Sequence, residues 1–203
     1  MTAIVTPAPM FPFALADARP LSLTGSGADV ANHKAFAVFL AGIRGSAPAL
    51  VGGYAERRAM YSGSHLFDAG DEPRDVHLGI DVWTDAGTPL GAPLDGRVHS
   101  FADNDAFGDY GATIILDHGG FFALYGHLAR ESLDGLAEGQ RIERGQIFAQ
   151  LGSAKENGGW PPHLHFQKIR DMLGKRGDFP GVAKMSERDK WLDLCPDPAS
   201  LLV

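Results

Sequence analysis

The segment His163-Leu164-His165-Phe166 constrains this chain more than any other. Residues two apart on a strand project from one face, so the two imidazoles stand together while Leu164 and Phe166 turn into apolar packing. Paired imidazoles are costly to bury idle, because each ring nitrogen wants a partner once water is gone. Two further motifs carry related chemistry: His77-Leu78-Gly79-Ile80-Asp81 and Tyr125-Gly126-His127-Leu128. A spacing of four keeps His77 and Asp81 on one face of a strand, and equally on one face of a helix turn. Two histidines and one carboxylate form a recognised catalytic zinc set, with the fourth position left to water. Two spare histidines beside such a metal would orient the water and steady an oxyanion. Spacing leaves open which of His163 and His165 touches the metal.

The rest of the chain reads as short strands and turns. Its 203 residues include 26 glycines and 13 prolines, a loading that suits a mainly β fold better than a helical bundle. Strands are expected at 96–101, 112–118, 121–127, 146–151 and 163–169, with a short one at 140–142, and Gly119-Gly120 links the second to the third. These segments lie too close together for βαβ crossovers, so the sheet should be antiparallel. Phe36, Phe39, Leu40 and Ile43 fall at i, i+3, i+4 and i+7, which predicts an amphipathic helix within 28–44 that Gly45 can stop. Residues 185–194 read as a second short helix capped by Ser186. Residues 1–26 have the look of an extended arm, and 51–67, with its Arg57-Arg58 pair, follows no pattern. The expected division is an N-terminal arm and helical extension over 1–70, packed on a domain over 71–203.

Net charge excludes some functions. At −7 the chain lacks the basic face that a general nucleic-acid binder needs. No segment approaches the roughly 20 apolar residues that span a bilayer. Prolines 7, 9 and 12 and a first basic residue at Arg19 are unlike a secretory leader, so a cytoplasmic location with no membrane association is expected. The single cysteine, Cys195, permits no intrachain disulfide and reads as a small apolar residue. Of the other histidines, His118 fits a strand end, His99 a structural place on its strand, and His33 and His65 surface or loop positions.

From His77 to Phe166 the chain resembles the lysostaphin-type (LytM-like) zinc metallopeptidase domain. Six segments match in order: HLGID, APLDGRV, YGATIILDHGG, LYGHL, EGQRIERGQIFAQLG and HLHF. The resemblance implies a small antiparallel β-sheet groove or sandwich around one Zn2+ ion. Carried over position by position, it makes His77, Asp81 and His165 the metal ligands and His127 and His163 the catalytic pair. It implies a hydrolase of amide bonds, most simply a metalloendopeptidase, acting on a peptide or small amide. The loop Asn157-Gly158-Gly159-Trp160-Pro161-Pro162 replaces the usual Thr/Gly-rich loop and Gly-Pro, so Trp160 should reshape the groove, and Gln167 stands where the family more often has Glu. Tyr110 and Asp109 are further groove candidates. The segments GGWPPHLHFQ and MLGKRGDFPGVA are similar to a subgroup in which such a domain is joined to kinase-like and aminotransferase-like domains. That implies functional association with such enzymes and a small cytosolic amine or amide as substrate. A reading from a different class is a cytosolic metal-holding module that binds a ligand or partner without turnover, its groove filled by the chain's own arm.

Overall fold

The structure, a computed structural model, describes residues 6–26, 32–58 and 72–203. Strand β1 (Arg19–Pro20) and helix α1 (His33–Arg44) precede β2 (Leu50–Gly52). Then come β3 (Arg74–His77), β4 (Ile80–Trp83) and β5 (Pro89–Gly91). The central meander is β6 (Gly96–Asn104), β7 (Gly111–Asp117) and β8 (Phe122–Leu128). Strands β9 (Arg141–Ile142), β10 (Ile147–Gln150), β11 (His163–Ile169) and β12 (Val182–Lys184) lead to a closing helix, α2 (Arg188–Leu194).

One sheet of eight strands runs β1-β2-β4-β11-β8-β7-β6-β9, and two-stranded ribbons β10-β5 and β12-β3 flank it. The mainly β class with two short helices is as expected. Among the described strands only β1 and β2 pair in parallel; the other pairings are antiparallel. Residues from both sides of the expected 70/71 boundary share this sheet, because β2 pairs with β4. The boundary itself lies outside the described residues.

Strand alternation sorts the side chains onto two faces. Ile80, Val82, Ile114, Leu116, Ala123, Tyr125, Leu164 and Phe166 form the main core, onto which Met10 and Phe11 of the arm pack. On the opposite face Ile115, Leu124 and Ile169 meet Phe179 and Cys195 in a second cluster. That second face is only partly apolar: where β4 and β11 run on from this cluster, it carries the polar site.

Helix α1 forms as its periodicity predicts, starting at His33; residues 28–31 lie outside the described residues. Asn32 Oδ1 accepts from Ala35 N at 3.1 Å, and Gly45 ends the helix at φ 54°. Its apolar stripe buries Phe36 and Leu40 against Leu50, Trp83 and Trp160. Burial of that kind stabilises by about 1.5–3 kcal/mol per large side chain. Helix α2 starts without the expected Ser186 cap. Ser186 instead gives its backbone N–H and hydroxyl to the two carboxylate oxygens of Glu72, so its oxygen is not turned to the helix.

Candidate metal and hydrolytic centre

Pairing register assembles the site. On β11, His163 and His165 lie opposite Trp83 and Asp81 of β4, and His165 also pairs with Gly126 of β8. His77 ends β3 and is joined to β4 by Leu78 and Gly79, which brings it back over Asp81. Gly79 permits the approach: a Cβ there would meet the His165 ring at 2.8 Å.

Three atoms converge. His77 Nε2 lies 2.9 Å from His165 Nδ1 and 3.3 Å from Asp81 Oδ1, and His165 Nδ1 lies 3.2 Å from the same oxygen. Donor atoms around a tetrahedral zinc stand roughly 3.3 Å apart, so the spacing suits one small cation. Each imidazole's other nitrogen is committed. His77 Nδ1 donates to Gly53 O at 2.9 Å, and His165 Nε2 donates to Gln167 Oε1 at 2.9 Å. Both rings therefore turn a lone pair toward the shared point, as imidazole metal ligands do. The Gln167 amide cannot flip, because its NH2 group donates to Pro180 O at 3.1 Å and Cys195 Sγ at 3.2 Å.

Charge is balanced locally. Burial works against ionised Asp81, but His77 and Arg58 beside it hold its carboxyl well below the usual carboxylate range. Burial and the Arg58 charge push His77 down to about 4, so its ring is neutral at pH 7.

His163 and His127 stand beside this trio with ring centroids 4.1 Å apart. His163 Nδ1 donates to Pro161 O at 2.9 Å and His127 Nδ1 to Asn157 O at 3.0 Å, which leaves each Nε2 as an acceptor. Burial pushes His163 down to about 4 and His127 well below its ordinary value. His127 has a backbone φ of 63°, in the left-handed region that non-glycine residues seldom occupy. The cause is a bulge. Between Tyr125 and Leu128 two residues of β8 oppose one of β7, where strict alternation would send His127 to the core face with Tyr125.

The deciding comparison is with family models. The model described as Peptidase family M23 matches residues 75–176. The chain belongs to that family. A Haemophilus influenzae protein described as an uncharacterized metalloprotease is 33% identical over 92 residues, which are 45% of this chain and 18% of that protein. This M23 chain thus spans less than a fifth of that relative's length. A zinc-containing peptidase from Vibrio cholerae is 28% identical, with a TM-score of 0.38 over 46% of this chain and 27% of its own. The catalytic domain of the antimicrobial peptidase lysostaphin from Staphylococcus simulans is 22% identical, with a TM-score of 0.47 over 76% of this chain and 96% of its own.

Above the M23 centre lies a cavity of about 300 Å³. One wall is apolar and leans on α1: Trp83 stacks on His163 at 3.8 Å between centroids and meets Phe36 edge-on at 5.3 Å. Trp160 lies in the same wall and stacks on His33 at 5.0 Å. His33, expected at the surface or in a loop, is therefore a half-buried wedge between Trp160 and Phe107. His65 lies outside the described residues. Tyr110 lines the cavity too: it packs on Gly126, and its hydroxyl lies 3.4 Å from His165 Nε2. Asp109 is also in the lining, where its carboxylate accepts from Tyr110 N at 2.7 Å.

No sequence motif marks Trp83, Gly53, Glu56 or Arg58 as part of the centre. Arg58 donates to Asp81 Oδ2 at 2.7 Å and is 2% exposed. The Arg57-Arg58 pair in an otherwise unpatterned stretch was its one signal. Away from the centre, His99 Nδ1 bonds Ser100 Oγ and His118 Nδ1 donates to Asp95 O, in keeping with structural places.

Proposed function

We propose that this chain is a zinc-dependent hydrolase of amide bonds, most simply a metalloendopeptidase, with His77 Nε2, Asp81 Oδ1 and His165 Nδ1 as the ligand atoms. The observation that carries the reading is their convergence at 2.9–3.3 Å with both outer imidazole nitrogens already bonded to carbonyl oxygens. Zinc in such a set supplies a water of near-neutral pKa and polarises the scissile carbonyl.

His127 and His163 are the catalytic pair in this reading. Each is neutral, holds its proton at Nδ1 on a backbone carbonyl and has a bare Nε2. A ring in that state can only accept at Nε2, so it begins as a base. One ring of the pair would take the single proton that the attacking water loses and, as imidazolium, donate toward the oxyanion before passing that proton to the leaving amine, while the other stays neutral beside it. The bulge at His127 and the stacking of Trp83 on His163 keep both rings in place.

The proposed substrate is a peptide or small amide, bound against the wall of Trp83 and Trp160 with Tyr110 and Asp109 at its flank. Functional association with kinase-like or aminotransferase-like enzymes belongs to the same proposal and is supported by the wording of two sequence segments. Among the described residues no helix is long and apolar enough to cross a membrane. The test is hydrolysis by zinc-loaded protein of glycine-rich peptides, peptidoglycan fragments and small amides. Release of a new amine and carboxylate from one class is expected. No turnover of any, with zinc bound at one equivalent, would leave the ligand-binding module as the surviving reading.

A further inference from the structure

Part of what orients the three converging residues comes from outside the M23 match at 75–176. The chain that follows β2 runs beside β3, tied by bonds from Ala55 N to His77 O, His77 N to Glu56 O and Arg58 N to Asp75 O, at 2.7–2.9 Å. It delivers the Gly53 carbonyl to His77 Nδ1 and the Arg58 guanidinium to Asp81 Oδ2.

Arg58 has a built seat. A guanidinium this deeply buried is stable only where partners offset its lost hydration. Its Nη1 donates to Asp81 and its Nε to Glu56 Oε2 at 3.0 Å. The other Glu56 oxygen accepts from Leu23 N, Thr24 N and Ser22 Oγ, which fixes the carboxylate against the arm. Gly53 keeps the space open: at φ 102° it is strained for any other residue, and a Cβ there would stand 2.0 Å from Arg58 Nη2. Asp81 is thus divided between its oxygens, Oδ2 to Arg58 and Oδ1 to the two histidines.

We propose that Arg58 is a positioning residue of the hydrolytic centre, occupying Oδ2 of Asp81 so that this carboxylate ligates a metal through Oδ1 alone. A carboxylate free to turn can offer both oxygens and take up an extra coordination place. Held to one oxygen, it leaves that place for water or the substrate carbonyl. The guanidinium charge also draws electron density from Asp81, which keeps a bound metal more electron-poor. The proposal rests on the zinc-hydrolase reading above and names a residue outside the family match at 75–176.

The test uses the full chain loaded with cobalt(II), whose visible bands are intense in four-coordinate sites and weak in five- or six-coordinate ones. Wild type should show the intense bands. Arg58→Met should lose intensity several-fold while unfolding cooperatively, whereas Arg58→Lys, which retains the charge and a donor, should stay near wild type. Undiminished bands in folded Arg58→Met overturn the proposal and leave the parent reading standing. A crystal structure of zinc-loaded wild type decides independently of how the variants fold. Oδ1 alone on the metal with Arg58 on Oδ2 supports the assignment; a two-oxygen Asp81 or a displaced Arg58 overturns it. Failure of wild type to bind zinc or cobalt at all sinks the parent reading, and this one with it.

Discussion

Asp81 and His165 are register partners on adjacent antiparallel strands, and the carboxylate Oδ1 of one lies 3.2 Å from the ring Nδ1 of the other. Backbone pairing, not a loop, sets this approach. The approach of these two atoms is therefore held by the same ladder that holds the sheet.

His165→Ala and Asp81→Ala should each weaken zinc binding by more than about 100-fold, since removal of a ligand costs more than removal of its supporting partner. Competition with a chromogenic chelator measures this directly. Wild-type affinity in either variant would remove that residue from the ligand set.

His163→Ala and His127→Ala should keep zinc near one equivalent and lower kcat by about 10²–10⁴-fold, the range for a lost general base. Zinc content and turnover must be read on the same samples. A variant that lost both together would be holding the metal, not moving a proton.

Gln167→Glu tests why an amide stands here. The carboxylate can still accept from His165, but it has no N–H for Pro180 O or Cys195 Sγ. The Pro180 carbonyl would then face a negative oxygen in a buried position. Urea unfolding of the metal-free protein should show a loss of about 1–3 kcal/mol, the cost of an unsatisfied buried group.

Stability of the metal-free protein should fall with acid. Burial lowers His77 and His163 to about 4 in the folded state, against about 6.5 unfolded. Well above pH 6.5 neither state is protonated, and these groups cost nothing. As pH falls from 6.5 to about 4 the unfolded chain takes up the protons first, so the folded state loses ground. Each histidine contributes a slope on the order of 1 kcal/mol per pH unit in that window. Urea titrations at pH 7, 6 and 5 read the slope, and a flat profile would mean that the rings take up protons as readily in the fold as in the unfolded chain.

Much of this architecture was legible in the chain. Period-2 alternation in His163-Leu164-His165-Phe166 put the imidazoles on one face and the apolar pair in the core, where Leu164 and Phe166 are fully buried. The helical stripe of Phe36 and Leu40 behaved in the same way. These signals are local, because strand and helix geometry convert spacing directly into facing direction. Ser186 shows the limit: its residue type suits a helix cap, but Glu72, more than a hundred positions away, engages the hydroxyl.

The sequence by itself therefore determined the shared face of His163 and His165, the β class, and the chemistry that the histidines and Asp81 can offer; His77 and Asp81 sit not on one strand but on two, β3 and β4, brought together by the turn at Leu78-Gly79. Tertiary structure alone decided which atoms meet. Strict alternation would have turned His127 into the core, and a bulge at φ 63° turned it out. No spacing rule could bring Gly53 to His77, Arg58 to Asp81, or Cys195 through Gln167 to His165. Those contacts join segments far apart in the chain, and they are fixed by sheet register and burial: a buried donor or charge must find its partner wherever the fold has placed one.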